Sequence, residues 1–126
     1  MESKAITDAQ ISASSKLDST QSPWQARLHL TADGSQGGGW SALRNDFDQW
    51  LQVDLGSYTT VTRIATQGRN GHDQWVTKYN LQYSDDGDIF HFFEEPGNNA
   101  AKVCPALYND DDDFNSTFFV LFYMFH

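Results

Sequence analysis

Short alternating runs closed by turn residues organise the chain. Leu51, Val53 and Leu55 alternate with Gln52 and Asp54, and Gly56 follows. Period two puts the three apolar side chains on one face, which predicts a strand ending at Gly56. Thr59–Gln67 is rich in β-branched residues and predicts a second strand. Trp75, Thr77, Tyr79, Leu81 and Tyr83 alternate with Lys78, Asn80 and Gln82, and Asp85-Asp86-Gly87 then signals a turn. Ile89–Phe93 is the expected hairpin partner. Shorter strands are expected around Gln10–Ser14 and Ala101–Cys104, with one turn of helix within Trp24–Leu30.

Loops separate these runs. Thr31–Gly39 contains an Asp33-Gly34 turn and a Gly37-Gly38-Gly39 stretch that reads as a flexible tip. Arg69–Asp73 carries an Asn70-Gly71 turn, and Pro96–Asn99 reads as a further loop. The pattern as a whole predicts a single all-β domain. After Cys104 the character changes to an acidic block, Asp110–Asp113, followed by a nearly continuous apolar run.

Charge narrows the partners. Seventeen acidic residues against eight basic give a net charge of −9. Nucleic acid and other polyanions are repelled at long range, and so is an anionic lipid surface. Neutral sugars, basic protein patches and metal ions stay open. A single cysteine, Cys104, permits no disulfide within the chain, so a free or buried thiol is expected. Met1–Ile6 has no apolar core of a secretory signal, and Phe118–Phe125 is shorter than the roughly 20 residues of a membrane-spanning helix.

No hydrolase elbow, zinc-protease, phosphate-loop or C-x-x-C motif occurs, and His29, His72, His91 and His126 are dispersed. No enzymatic activity is expected. Asn115-Ser116-Thr117 is a glycosylation sequon inside the C-terminal segment.

Five strings occur in order: Trp40-Ser41-Ala42, Gln49–Gly56, Ala65–Arg69, Trp75–Tyr79 and Tyr83–Gly87. With Ile11–Ser15 and Ala26–Leu28 they resemble the discoidin, or coagulation factor 5/8 C-type, domain of the galactose-binding-like superfamily. The resemblance spans roughly Ile6–Val103. It implies a jelly-roll β-sandwich of about eight strands, lacking its last strands here. It also implies a non-catalytic extracellular or cell-surface module for adhesion, glycan, protein or phospholipid binding, with ligands met by loops at one end. Two features depart from the family. The terminal cysteine pair that members join in a disulfide is absent, and the segment after Val103 does not match. The chain therefore divides into an incomplete discoidin-like domain, residues 1–104, and an acidic and apolar tail, residues 105–126. Open strand edges are expected to make it prone to aggregation.

Three loops would form the recognition end: Ser15–Ser22, Trp40–Asp48 and Arg69–Gln74. Their candidate ligand residues are Lys16, Asp18, Arg44, Asn45, Asp46, Arg69 and Asn70. Arginine, amide and carboxylate groups suit sugar hydroxyls or a basic side chain on a partner. The competing reading is that Asn45 and Asp46 merely shape a turn. In the first loop Leu17 is the only large apolar group, which argues against membrane insertion. Trp40, Trp50 and Trp75 could serve as stacking platforms for sugar rings, but core packing is the expected role, and Arg27 is expected as a structural ion-pair partner. Asp33-Gly34 resembles part of a calcium loop in related galactose-binding modules, which makes Asp33 a candidate calcium ligand. The expected function is recognition of glycans or cell-surface proteins in adhesion. The alternatives are a phospholipid-surface module or an accessory domain of a larger secreted enzyme or receptor.

Overall fold

The computed structural model describes residues 5–62, 64–94, 103–105 and 114–125, the last two ranges as backbone only. The expected Pro96–Asn99 loop, Ala101, Asp110–Asp113 and His126 lie outside the described residues. So does the side chain of Cys104.

Six strands form one sheet: β1 Ile11–Ala13, β2 Gln49–Val61, β3 Val76–Ser84, β4 His91–Phe92, β5 Val103–Pro105 and β6 Phe114–Phe125. The order is β1-β2-β6-β3-β4, with β5 also paired to β3 and every pairing antiparallel. Only three-residue 3-10 turns interrupt the strands and loops among the described residues, at Asp8–Gln10, Ser19–Gln21 and Pro23–Gln25. The last coincides with the helical turn expected near Trp24.

Alternation builds the core as the sequence predicts. Gln49, Leu51 and Val53 are buried on one face of β2, while Trp50, Gln52 and Asp54 are half-buried on the other. Leu51, Val53, Tyr79 and Leu81 join Ile11, Ile64 and Phe93 in one cluster. Leu51 and Leu81 are each 1% exposed. Each such side chain contributes about 1.5–3 kcal/mol by leaving water. The apolar C-terminal segment supplies β6, whose Leu121 takes the register position between Leu51 and Leu81. The sequon is part of this strand, with Asn115 paired to Thr60 and Ser116 to Thr59.

Two boundaries differ from the sequence reading. Gly56 does not end the strand. It takes φ +76°, its amide donates to Asp54 Oδ1 at 2.7 Å, and the β2–β6 register shifts between Asp54 and Thr59 before pairing resumes. Gly56 therefore belongs to an irregularity of the bulge kind, and two expected strands are one element. The strand then stops at Val61 rather than Gln67. Beyond the single bridge at Ile64, residues 65–69 run as open loop.

The Asp85-Asp86-Gly87 turn forms as expected, with Gly87 at φ +75°. The Asp86 carboxylate accepts from the amides of Asp88 and Ile89, at 2.9 Å each, and from the Ser84 hydroxyl at 2.9 Å. These bonds hold its pKa down, to about 2 from 3.8. A folded-state pKa below the unfolded value means stabilisation that is complete above about pH 4 and lost as the pH falls toward 2. Urea denaturation midpoints of the parent and Asp86→Asn should therefore differ at about pH 5 and converge at about pH 2. A gap that does not change with pH would show that the charge contributes nothing.

Candidate functional site

Sheet topology gathers the loops. Because β2 and β3 each run antiparallel to β6, they run parallel to each other, and Gln49 and Val76 start at the same end. β1 finishes at that end, since Ala13 pairs with Leu51. The segments leaving β1, entering β2 and entering β3 must therefore converge. These are the three loops that the sequence nominated.

Ser15 joins the first two loops. Its hydroxyl donates to Gln49 Oε1 at 2.6 Å and accepts from the Leu43 amide at 3.0 Å. Its carbonyl accepts from Trp40 Nε1 at 2.9 Å, and the Leu17 amide donates to Ser41 O at 2.8 Å. Arg69 joins the third loop to the glycine-rich one. Its Nε donates to Gly37 O and its Nη1 to Gln74 Oε1, both at 2.8 Å.

The glycines are not a flexible tip. Gly37 and Gly38 are buried. A Cβ on Gly37 would lie 2.9 Å from Thr20 O, and one on Gly38, at φ +73°, would lie 2.7 Å from Ala32 N. The run is glycine because backbones meet there, which a local reading of composition could not show.

Between these loops lies a cleft of about 330 Å³. Trp40, Leu43, Arg44 and Asn45 line it from the second loop, with Arg69, Gln74 and Trp75 from the third and Leu17 from the first. Ala65–Gly68 and the 3-10 segment around Gln25 and Arg27 complete the wall. The volume falls within the roughly 300–1,000 Å³ of small-molecule sites. A smaller hollow of about 160 Å³ lies at the opposite end, around Tyr83, Asp86 and His91.

Of the nominated residues, Arg44, Asn45 and Arg69 line the cleft, whereas Lys16, Asp18, Asp46 and Asn70 do not. Lys16 is exposed outside it. Asp18 accepts from the Thr20 hydroxyl at 2.6 Å and the Thr20 amide at 2.8 Å, so it caps the turn at Ser19. Those bonds lower its pKa. Asp46 accepts from Gln49 Nε2 at 2.7 Å and from the Asp48 amide at 3.1 Å, again with a lowered pKa, and shapes its own turn. Asn70 Oδ1 accepts from the Ala32 amide at 3.1 Å and ties two loops together. Asp33, considered as a calcium ligand from the sequence, directs Oδ1 to the Ser35 amide, the Ser35 hydroxyl and the Gln36 amide at 2.8–2.9 Å. No three His, Cys, Asp or Glu side chains among the described residues gather into a group able to hold a metal ion.

Arg27 behaves as expected of a structural residue. Its Nη2 meets Asp8 Oδ1 at 2.6 Å and Ile6 O at 2.8 Å while the side chain is almost wholly buried. Trp40 packs against the core, and Trp50 is half-buried. Trp75 contradicts the core expectation, being 55% exposed at the cleft. It precedes the first residue of β3, so the pairing that buries Tyr79 and Leu81 does not yet fix it. Gln25 went unnoticed in the sequence. It is 1% exposed, lies against the cleft, and neither amide atom has a hydrogen-bond partner among the described residues. An isolated glutamine among Pro23, Trp24 and Ala26 gives no local signal of that.

Comparison with solved structures places the fold. Discoidin II from Dictyostelium discoideum superposes with a TM-score of 0.70 at 21% identity, over 90% of this chain and 48% of that one. The chain thus spans about half the length of the discoidin II chain. CpGH89CBM32-5 from Clostridium perfringens, solved with GalNAc-β-1,3-galactose, gives 0.62 at 17% identity, over 94% and 87%. Chitosan-binding module 2 of a chitosanase/glucanase from Paenibacillus sp. IK-5, solved with chitotriose, gives 0.59 at 17% identity, over 91% and 88%. These neighbours are β-sandwich domains of the discoidin and family 32 carbohydrate-binding type, the fold class expected from the sequence. The family model for the F5/8 type C domain matches residues 10–108, and the chain belongs to that family.

Proposed function

We propose that this chain is a non-catalytic recognition module that captures a glycan in the cleft between its three converging loops. The observation that carries the reading is the make-up of that cleft. An exposed indole, Trp75, shares the cleft lining with Arg44 and Arg69 and with Asn45, Gln67 and Gln74. Sugars have apolar C–H faces and rims of hydroxyls, so an aromatic face beside planar donors and acceptors suits them. Gln25 strengthens the argument. A buried amide without a partner costs about 1–3 kcal/mol, and a polar ligand reaching the cleft floor would recover part of that. Solved structures of the same fold hold galactose, GalNAc-β-1,3-galactose and chitotriose, which supports a saccharide as the ligand class. Acting outside the cell or at its surface, such a module would serve adhesion or target a larger protein to a glycan or to a glycosylated cell-surface protein.

Trp75→Ala tests this. Binding to the saccharides that the parent chain captures on a glycan array should fall at least about tenfold, the cost of losing roughly 1.4 kcal/mol of stacking. The exposed indole predicts an unchanged denaturation midpoint. Full binding by the variant would remove the cleft from the account. Exposed Leu17, Leu43 and Phe47 favour a second reading, a phospholipid surface. The net charge of −9 opposes it for anionic lipid, and sedimentation with phosphatidylserine vesicles separates the two.

A further inference from the structure

The cleft differs in charge from the chain that carries it. The protein has a net charge of −9, yet among the described residues no Asp or Glu lines the cleft while Arg27, Arg44 and Arg69 do. Arg27 is neutralised by Asp8. The other two are not satisfied in that way. Arg44 is exposed and makes no hydrogen bond or ion pair among the described residues, with Asp46 near enough only for a weak electrostatic effect. Arg69 commits Nε and Nη1 to Gly37 and Gln74 and its Nη2 lies close against Gly37, so Arg44 is the cation open to a ligand. Asp18 and Asp46, the acidic neighbours of these arginines, accept hydrogen bonds from Thr20 and from Gln49 and Asp48. Oδ1 of each is engaged in building a loop, and both carboxylates stay anionic outside the cleft lining.

Building on the glycan reading above, we infer that the cleft selects a saccharide carrying one carboxylate, a uronic-acid type of sugar, over its neutral counterpart. A guanidinium donates to a carboxylate through paired N–H groups, a stronger and more directional contact than it makes with a hydroxyl. Gln25, buried beside the cleft, carries an amide with no hydrogen-bond partner among the described residues. Amino sugars are disfavoured because the described residues of the wall offer them cations and no carboxylate. Densely sulfated polymers are disfavoured because the rest of the molecule repels them at long range. The combination selects for one negative charge inside the cleft.

The test is calorimetric titration of the full chain with matched pairs, hexose against uronic acid, in the gluco, galacto and manno series. The acid of at least one pair should bind about tenfold or more tightly than its neutral partner. That ratio should shrink as sodium chloride rises from about 0.05 to 0.5 M. Arg44→Gln should bring the ratio to within about threefold, whereas Arg44→Lys should restore part of it. Neutral hexoses or the corresponding amino sugars binding as tightly as the acids would overturn this inference and leave glycan recognition standing. Failure of every saccharide in the pairs and on the array would overturn both.

Discussion

Deleting residues 114–126 is expected to abolish cooperative folding. β6 lies between β2 and β3 and is hydrogen-bonded to both, and no described pairing joins β2 to β3 directly. Its removal opens two interior edges and separates Leu51 and Val53 from Tyr79 and Leu81, which now share one cluster. The effect is the whole folding free energy, about 5–15 kcal/mol for a domain of this kind. Tryptophan fluorescence in urea should show no sigmoidal transition for the truncated chain, and its exposed edges should drive aggregation. A truncated chain with the parent's midpoint would mean that the strand order described here is wrong.

Arg69→Ala should produce the largest loss at the cleft. It removes the donor to Gly37 O and the donor to Gln74 Oε1 in one step. Hydrogen bonds from a charged group contribute about 1.5–3 kcal/mol each, and part of that returns when water solvates the half-buried site. A stability loss of about 2–3 kcal/mol is expected. Saccharide affinity should fall by more than about tenfold, because the third loop and the glycine-rich loop lose their tie as the cleft loses a cation. Arg69→Lys should not rescue binding, since one ammonium group does not reproduce two divergent planar donors. Denaturation and calorimetry on the same preparations separate the two effects. Parent-like affinity in Arg69→Ala would show that the tie and its charge are dispensable.

The sheet was legible because its signals are local. Alternation over Leu51–Leu55 and Tyr79–Tyr83 needs only neighbouring residues to be read, and it located the buried face of β2 and β3. Gly56 misled because a glycine at positive φ suits a bulge as well as a strand end. The cleft was legible only in part. Resemblance to the family pointed to the three loops, and Arg44, Asn45 and Arg69 do line it. Asp18 and Asp46 carry the same residue types but bond to neighbours within three positions, so composition could not separate ligand residues from turn builders. The contacts that bring the site together reach far along the chain: Trp40 to Ser15, Arg69 to Gly37, Asn70 to Ala32. Nothing in a local window encodes them. The same holds for the close approach at Gly38 and for the buried amide of Gln25.

Backbone and side-chain amide resonances followed during titration with a saccharide that the chain captures would locate the ligand. The account predicts the largest shifts at the Trp75 indole N–H, the Gln25 amide group and the backbone amides of residues 38–45 and 65–69, which border the cleft. Shifts concentrated instead around Tyr83, Ile89 and His91, at the opposite end of the sheet, would contradict it.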